Sequence, residues 1–168
     1  MICGRVWKFG NDIDTDAIIP GCYLDNYSPE HLARHVMEGI DADFHSKVSE
    51  GDFIVAGKHF GIGSSREQAA IALKAAGIKV LIAESFARIF YRNAINQGLL
   101  PLVCPNCSNV FMTGEKICVD LERGIVSSSD EPRKTLDFQQ LTPAIARIFE
   151  AGGLINLLRS EIQGSSEN

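Results

Sequence analysis

Hydrophobic positions are densest in the middle of the chain. Residues 52–56 read as a short buried strand that stops at Gly57, and residues 79–83 (Lys-Val-Leu-Ile-Ala) as a second, each with four consecutive apolar residues. Runs of this length without polar alternation suit strands buried on both faces. Between them Ala69, Ala72, Leu73 and Ala76 recur at helical spacing, so a helix is expected from about Ser64 until Gly77 stops it. Strand, helix, strand in this order is a βαβ unit, hence two parallel strands. The fold class expected is α/β.

The same reading extends outward. Phe86, Ile89, Phe90 and Ala94 mark the apolar face of a helix over 85–98. A strand is expected at 99–104, interrupted by Pro101, and two short strands at 116–121 and 124–127. Thr142-Pro143 carries the cap-then-proline pattern of a helix start, and Gly152-Gly153 should break that helix before a second piece over 154–162. Residues 130–137 read as an exposed loop and 164–168 as a flexible tail, leaving 1–163 as one domain. The first forty residues are less regular. They offer a strand at 5–9, a turn-rich stretch holding Asp12, Asp14 and Asp16, and a short helix over 29–37. So long an irregular stretch in a compact chain is either disordered or functional.

Composition narrows the classes. The 168 residues are 45% hydrophobic and 22% charged, which suits one globular domain. No apolar run approaches a membrane span, and residues 1–7 lack the pattern of a signal peptide, so the expected place is the cytoplasm. A net charge of −5 makes nucleic acid a poor partner. Five cysteines, an odd number, argue against a disulfide framework.

The segment with chemistry in it is Gly61-Ile62-Gly63-Ser64-Ser65-Arg66-Glu67. It joins a strand end to a helix start, where free backbone N–H groups and the helix dipole favour an anion. Gly61 and Gly63 let the backbone approach a ligand. Arg66 can grip a carboxylate with two parallel hydrogen bonds. The same residues admit a purely structural reading, since Ser64-x-x-Glu67 is a capping box. The crowding of polar groups after a glycine turn at the end of a buried strand favours a ligand site.

Four blocks carry a resemblance. Residues 57–67 resemble the signature of the aconitase swivelling domain. Residues 85–96, from Ser85-Phe86-Ala87-Arg88 to Asn96, look like its second block. Asp12-Ile13-Asp14-Thr15-Asp16-Ala17-Ile18-Ile19-Pro20 looks like its N-terminal block and Ala151-Gly152-Gly153-Leu154-Ile155 its C-terminal one. The order is the family's and covers nearly the whole chain. The length is similar to that of free-standing small subunits of the 3-isopropylmalate dehydratase group, with homoaconitase and 2,3-dimethylmalate dehydratase as relatives.

The resemblance implies a three-layer swivelling β/β/α domain and a hydro-lyase acting on a hydroxy-polycarboxylate. It implies Ser64 as the catalytic base, with Ser65 and Arg66 on a substrate carboxylate. It also implies a partner, a large subunit of aconitase type in a heterodimer or heterotetramer. That partner, not this chain, would bind a [4Fe–4S] cluster. The loop Tyr23-Leu24-Asp25-Asn26 matches the region that reads the variable part of the substrate. It has no arginine for a third carboxylate and no clearly apolar residue beside Leu24, so the choice between di- and tricarboxylate stays open with a tilt away from the latter. Gln68, Ala70 and Ile62 depart from the histidine, proline and cysteine common in the signature. They point to a less usual member with a related substrate.

Other residues keep two readings. Asp14, Thr15 and Asp16 either support the catalytic loop or cap turns. Lys58 and His59 add positive potential. Arg88 and Arg92, four apart on one helix face, either attract an anion, pair with acids of the partner, or are simply solvated. Cys104-Pro105-Asn106-Cys107 with Cys118 offers three cluster ligands, but incidental thiols at a strand end are favoured. A stand-alone anion-binding module, and an assembly role with all catalysis on the partner, remain as other function classes.

Overall fold

The computed structural model describes residues 1–131 and 133–165. In chain order come β1 (Ile2–Lys8), α1 (Thr15–Ile18), a 3-10 turn (Gly21–Tyr23), α2 (Pro29–Arg34), α3 (Phe44–Lys47), β2 (Phe53–Ala56), α4 (Glu67–Ala75) and β3 (Val80–Ala83). There follow α5 (Arg88–Gln97), β4 (Leu100–Val103), α6 (Cys107–Val110), β5 (Lys116–Asp120), β6 (Ile125–Ser128), β7 (Thr135–Asp137), α7 (Pro143–Glu150) and α8 (Leu154–Ser165). The strands make one sheet of order β4-β3-β2-β1-β5-β6-β7. The first four run parallel and the last three antiparallel.

The pattern of the strands explains the layers. Every residue of β2 and β3 is buried, because these inner strands are covered on both sides. Ile54, Ala56, Leu81 and Ala83 point to a core shared with Ile18, Leu32, Phe44, Leu73 and Phe90 of the helices. Phe53, Val55, Val80 and Ile82 point the other way, into a core shared with Ile117, Val119 and Val126. Those last three belong to the antiparallel half, which alternates and so has one buried face. The sheet must therefore curl until its antiparallel half covers the parallel half. Its edges do meet: the Gln139 N–H, just past β7, donates to the Val103 carbonyl of β4 at 2.8 Å. The result is the three-layer β/β/α arrangement around a βαβ unit. Pro101 sits in β4, an edge strand, where the missing N–H does least harm.

Several expectations change. The stretch 130–137 is not all loop: Thr135–Asp137 is the edge strand β7, paired to β6. Only Leu136 of the three turns toward the core, too little alternation to read from sequence. Pro132 of that stretch lies outside the described residues, as do 166–168 of the expected tail, and α8 itself is described to Ser165. Cys3 and Cys118 are joined by a disulfide although the odd count argued against such bonds. They face each other across β1 and β5, a neighbourhood that a separation of 115 residues cannot reveal. Among the described residues no helix is long and apolar enough to cross a membrane.

One buried polar centre anchors the N-terminal strand. The Asp52 carboxylate, 5% exposed, accepts from the Trp7 indole N–H at 2.8 Å, the Ser49 N–H at 2.9 Å and the Arg5 guanidinium at 2.9 Å. Asp52→Ala strands the first two donors, so the expected loss of stability is about 2–4 kcal/mol. A denaturant titration checks this: the midpoint should fall at constant slope, and a change under about 0.5 kcal/mol would contradict the assignment.

Candidate active site

The site lies beyond the C-terminal ends of β2 and β3, where α/β sheets place their ligands. The loop after β2 runs through Gly57–Gly63 beside residues 11–15. The Gly61 N–H donates to the Ile13 carbonyl at 2.7 Å and the Thr15 N–H to the Ile62 carbonyl at 2.8 Å. The Thr15 hydroxyl donates to the Ser64 carbonyl at 3.0 Å. Gly61, at φ 83°, packs against Phe90, where an added Cβ would lie 2.2 Å from the ring. Gly63, at φ 96°, is also left-handed. Both positions call for glycine.

These contacts keep residues 62–64 out of the helix, so the helix expected from Ser64 begins at Glu67. The capping-box reading fails: Arg66 is the cap residue and makes no side-chain cap bond. Ser64 and Ser65 are exposed, and neither hydroxyl has a hydrogen-bond partner among the described residues. Helix α5 starts late for the same reason. The Phe60 N–H donates to the Ser85 carbonyl and the Ala87 N–H to the Phe60 carbonyl, keeping 85–87 out of the helix.

Between the two helix starts is a cleft of about 400 Å³ lined by Thr15, Gly61, Gly63, Ser64, Ser65, Arg66 and residues 87–90 and 92. It thus brings together Ser64, Ser65, Arg66, Gly61, Gly63 and Thr15 from the residues picked out by sequence. Arg88 and Arg92, read there as one of several surface possibilities, line the same cleft. Ile89 and Phe90, read only as an apolar face, line it too; no pattern in the sequence distinguishes a residue under the core from one that walls a cleft.

Arg66 is already engaged. Its guanidinium donates to Asp16 Oδ1 at 2.7 Å and to the Ile19 carbonyl at 3.1 Å. The guanidinium beside it, then the Gly21 N–H, hold the Asp16 carboxyl below the ordinary aspartate range. Asp14 caps α1 by accepting from the Ala17 N–H at 2.7 Å. Lys58 is exposed and outside the cleft lining; its backbone N–H bonds the Asn11 side chain.

The loop after α1 stands beside the cleft rather than in its wall. Gly21 reaches Arg66, with an added Cβ 3.5 Å from Nη2. Tyr23 stacks on His35 at 3.6 Å between rings and donates to Glu38 at 2.9 Å. That bond to Glu38, then desolvation, raises the Tyr23 phenol. The Glu38 carboxyl is lowered, first by His35 at 2.6 Å and then by Tyr23. Leu24 is half-buried against the core, whereas Asp25 and Asn26 are exposed, the Asn26 side chain accepting from the Ser28 N–H.

Among the described residues no three His, Cys, Asp or Glu side chains converge to hold a metal ion. Cys104 and Cys107 are buried free thiols, and Cys118 is taken by Cys3. The neighbouring Cys104 sulfur and burial push the Cys107 thiol well up, so it stays protonated, directed at the Ala56 carbonyl. Among the described residues no set of thiols is placed to hold a [4Fe–4S] cluster.

A glycine loop that presents two hydroxyls and a guanidinium at the head of a parallel βαβ unit, under a curled sheet, defines an aconitase-type swivelling domain. Residues 15–107 match the Aconitase C-terminal domain family. The chain is 56% identical over 161 residues to the 3-isopropylmalate dehydratase small subunit 1 of Methanopyrus kandleri, covering 96% of this chain and 94% of that protein. It is 50% identical over 165 residues to the isopropylmalate/citramalate isomerase small subunit of Methanocaldococcus jannaschii, covering 98% of each. The crystal structure of 3-isopropylmalate dehydratase (leuD) from M. jannaschii superposes with a TM-score of 0.92 at 48% identity, covering 99% of this chain and 98% of that one. The chain belongs to the aconitase C-terminal domain family, in its branch of 3-isopropylmalate dehydratase small subunits.

The Arg66–Asp16 pair gives a pH prediction. A carboxyl with a depressed folded-state pKa contributes stability above its unfolded pKa and loses it as pH falls through the folded value. The tie should therefore hold at neutral pH and release only below the ordinary aspartate value of 3.8. In an NMR titration the Asp16 midpoint should lie below that value and return to it in Arg66→Ala. An identical midpoint in both proteins would remove the ion pair from the description.

Proposed function

We propose that this chain, a single domain over 1–163, is the small subunit of a cytoplasmic two-chain hydro-lyase that interconverts 3-isopropylmalate and 2-isopropylmalate in leucine biosynthesis. The observation that supports this best is the Ser64 hydroxyl: exposed, unpartnered among the described residues, and held out of the helix at the rim of a cleft rich in guanidinium groups. The relatives that match nearly end to end carry small-subunit names.

Ser64 is the base. Its oxygen takes the proton from the carbon next to the one bearing the hydroxyl, and the C–H electron pair becomes the second bond of the alkene as hydroxide departs. Rehydration reverses the steps with the hydroxyl on the neighbouring carbon and the proton returned by Ser64. A serine hydroxyl is a weak acid in water, so the alkoxide needs a local positive field. The uncapped start of α4 and the nearby arginines supply one. Ser65 and Arg66 hold a substrate carboxylate. Asp16 and Thr15 keep Arg66 and the Ser64 backbone in place, and Gly61, Gly63 and Asp14 shape the loop, while Lys58 adds charge nearby. A [4Fe–4S] cluster, held by the large subunit rather than by residues of this chain, would supply the Lewis acidity that the leaving hydroxide needs. The loop Tyr23-Leu24-Asp25-Asn26 reads the substituent; its lack of an arginine favours a dicarboxylate.

Reconstitution with the large subunit tests the assignment. Ser64→Ala should lower kcat by about 10²–10⁴-fold, the range a positioned base contributes, with assembly unchanged. Full turnover in that variant would move catalysis to the partner. Comparing 3-isopropylmalate, citraconate, 2,3-dimethylmalate and homoaconitate as substrates reads the specificity.

A further inference from the structure

The turn Gly21–Tyr23 beside the cleft is held from behind by residues outside the site. The Tyr23 hydroxyl donates to Glu38 Oε1 at 2.9 Å, and Glu38 Oε2 lies 2.6 Å from His35 Nδ1. Tyr23 and His35 also stack, their ring centroids 3.6 Å apart and their planes 8° from parallel. The Glu38 carboxyl is lowered, by His35 first and then by Tyr23, so at neutral pH it is ionised and only accepts. His35 Nδ1 therefore carries the proton of that bond. His31 packs edge-on against both rings with its Nε2 buried, which closes the inner side of the stack. The segment carrying this clamp is itself fixed. The Met37 N–H donates to the Ile18 carbonyl at 2.7 Å, and a Cβ added at Gly39 would lie 2.7 Å from the Ala17 Cα. Ala17 and Ile18 belong to α1, which also carries Asp16. Asp16 accepts from the Gly21 N–H at 3.0 Å and holds Arg66. The turn is thus tied at both ends to one body, at Gly21 through Asp16 and at Tyr23 through His35 and Glu38.

We propose that His35 and Glu38 are positioning residues for substrate selection: they fasten Tyr23 and so set the loop 21–26 against Arg66 before substrate binds. This rests on that loop reading the variable substituent of the substrate, as in the proposed function. Neither residue lines the cleft, so both act through the loop. Tyr23, with its hydroxyl and one ring face turned to them, serves the loop as its anchor. A three-residue 3-10 turn gains little from its own hydrogen bonds, and without the clamp it would sample other positions. A loop that must be ordered at each binding event weakens the apparent affinity by the fraction of time it is misplaced. A loop fixed in advance also rejects a substituent of the wrong size, because accommodating it means moving the clamp.

The amides of Gly21, Tyr23 and Leu24 report on the clamp, because each is hydrogen-bonded while the turn is in place. In the full chain, Glu38→Ala and His35→Ala should speed their hydrogen exchange by about 5–10-fold, the weight of one hydrogen bond. In the enzyme assembled with the large subunit, the same variants should raise KM for 3-isopropylmalate by about 5–10-fold with kcat within about twofold. KM for citraconate, which has less to fit under the loop, should rise less. Glu38→Gln keeps an acceptor for the Tyr23 hydroxyl and His35→Phe keeps the stack, so each should recover part of both effects. Three results would overturn the proposal. Faster exchange with both KM values unchanged would make the clamp structural only. Unchanged exchange would remove the clamp. An equal loss of kcat on both substrates would take the two residues out of substrate selection. Failure of the wild-type assembly to turn over either substrate bears instead on the proposed function, and the exchange arm still decides the clamp.

Discussion

Two hydrogen bonds from Thr15 decide what the rest of the site can be. Its N–H holds the Ile62 carbonyl and its hydroxyl holds the Ser64 carbonyl. Without them the local preference of Ser64-Ser65-Arg66-Glu67 is to begin a helix at Ser64, with its hydroxyl bonded back to the Glu67 region. That alternative would leave the serine oxygen occupied as a cap. Pinned by residues that arrive from elsewhere in the chain, Ser64 stays outside the helix and keeps a hydroxyl without a partner among the described residues. The cost is a helix α4 that starts without a side-chain cap, and the uncapped N–H groups become part of the site's positive field.

The same device recurs one strand further along. Residues 85–87 pair with Phe60 and so delay α5 until Arg88. Two delayed helix starts set side by side, with Gly61 packed on Phe90 between them, leave a gap that neither helix fills. The cleft is thus a consequence of long-range pairing overriding local helix preference. Asp14 and Asp16 take part in that override from the same N-terminal stretch, one capping α1 and the other fastening Arg66. The irregularity of the first forty residues is explained by this: they are shaped to serve the loops after β2 and β3 rather than to form long elements of their own.

That history also sets what was legible in the sequence. The parallel βαβ unit was, because apolar runs and an alanine-rich helical face are local patterns, and the four blocks named the family. The residues that line one cleft, Ser64, Ser65 and Arg66 among them, stand together in one local block of the sequence. The start of α4 was not, because Thr15 lies 49 residues from Ser64 along the chain. The Cys3–Cys118 bond was hidden by an even longer separation, and β7 by having a single inward side chain. Arg88 and Arg92 were visible as a pair on one face, but which way that face turned depended on the pairing of Phe60 with residues 85–87.

The arginines also divide the work of the cleft by how each is held. Arg66 is tied to Asp16, whose lowered pKa keeps the pair intact throughout the neutral range, so its guanidinium is oriented before any ligand arrives. An oriented but partly neutralised group gives geometry more than field. Arg88 and Arg92 are the reverse: unpaired among the described residues, exposed, and set against the dipole of their own helix, they give field more than geometry. The base proposed here, a serine oxygen, would need both, since its alkoxide would have to be stabilised and the carbon acid placed against it. Charge without a counter-charge is tolerated in this acidic chain because it lies in an open cleft, where water screens it.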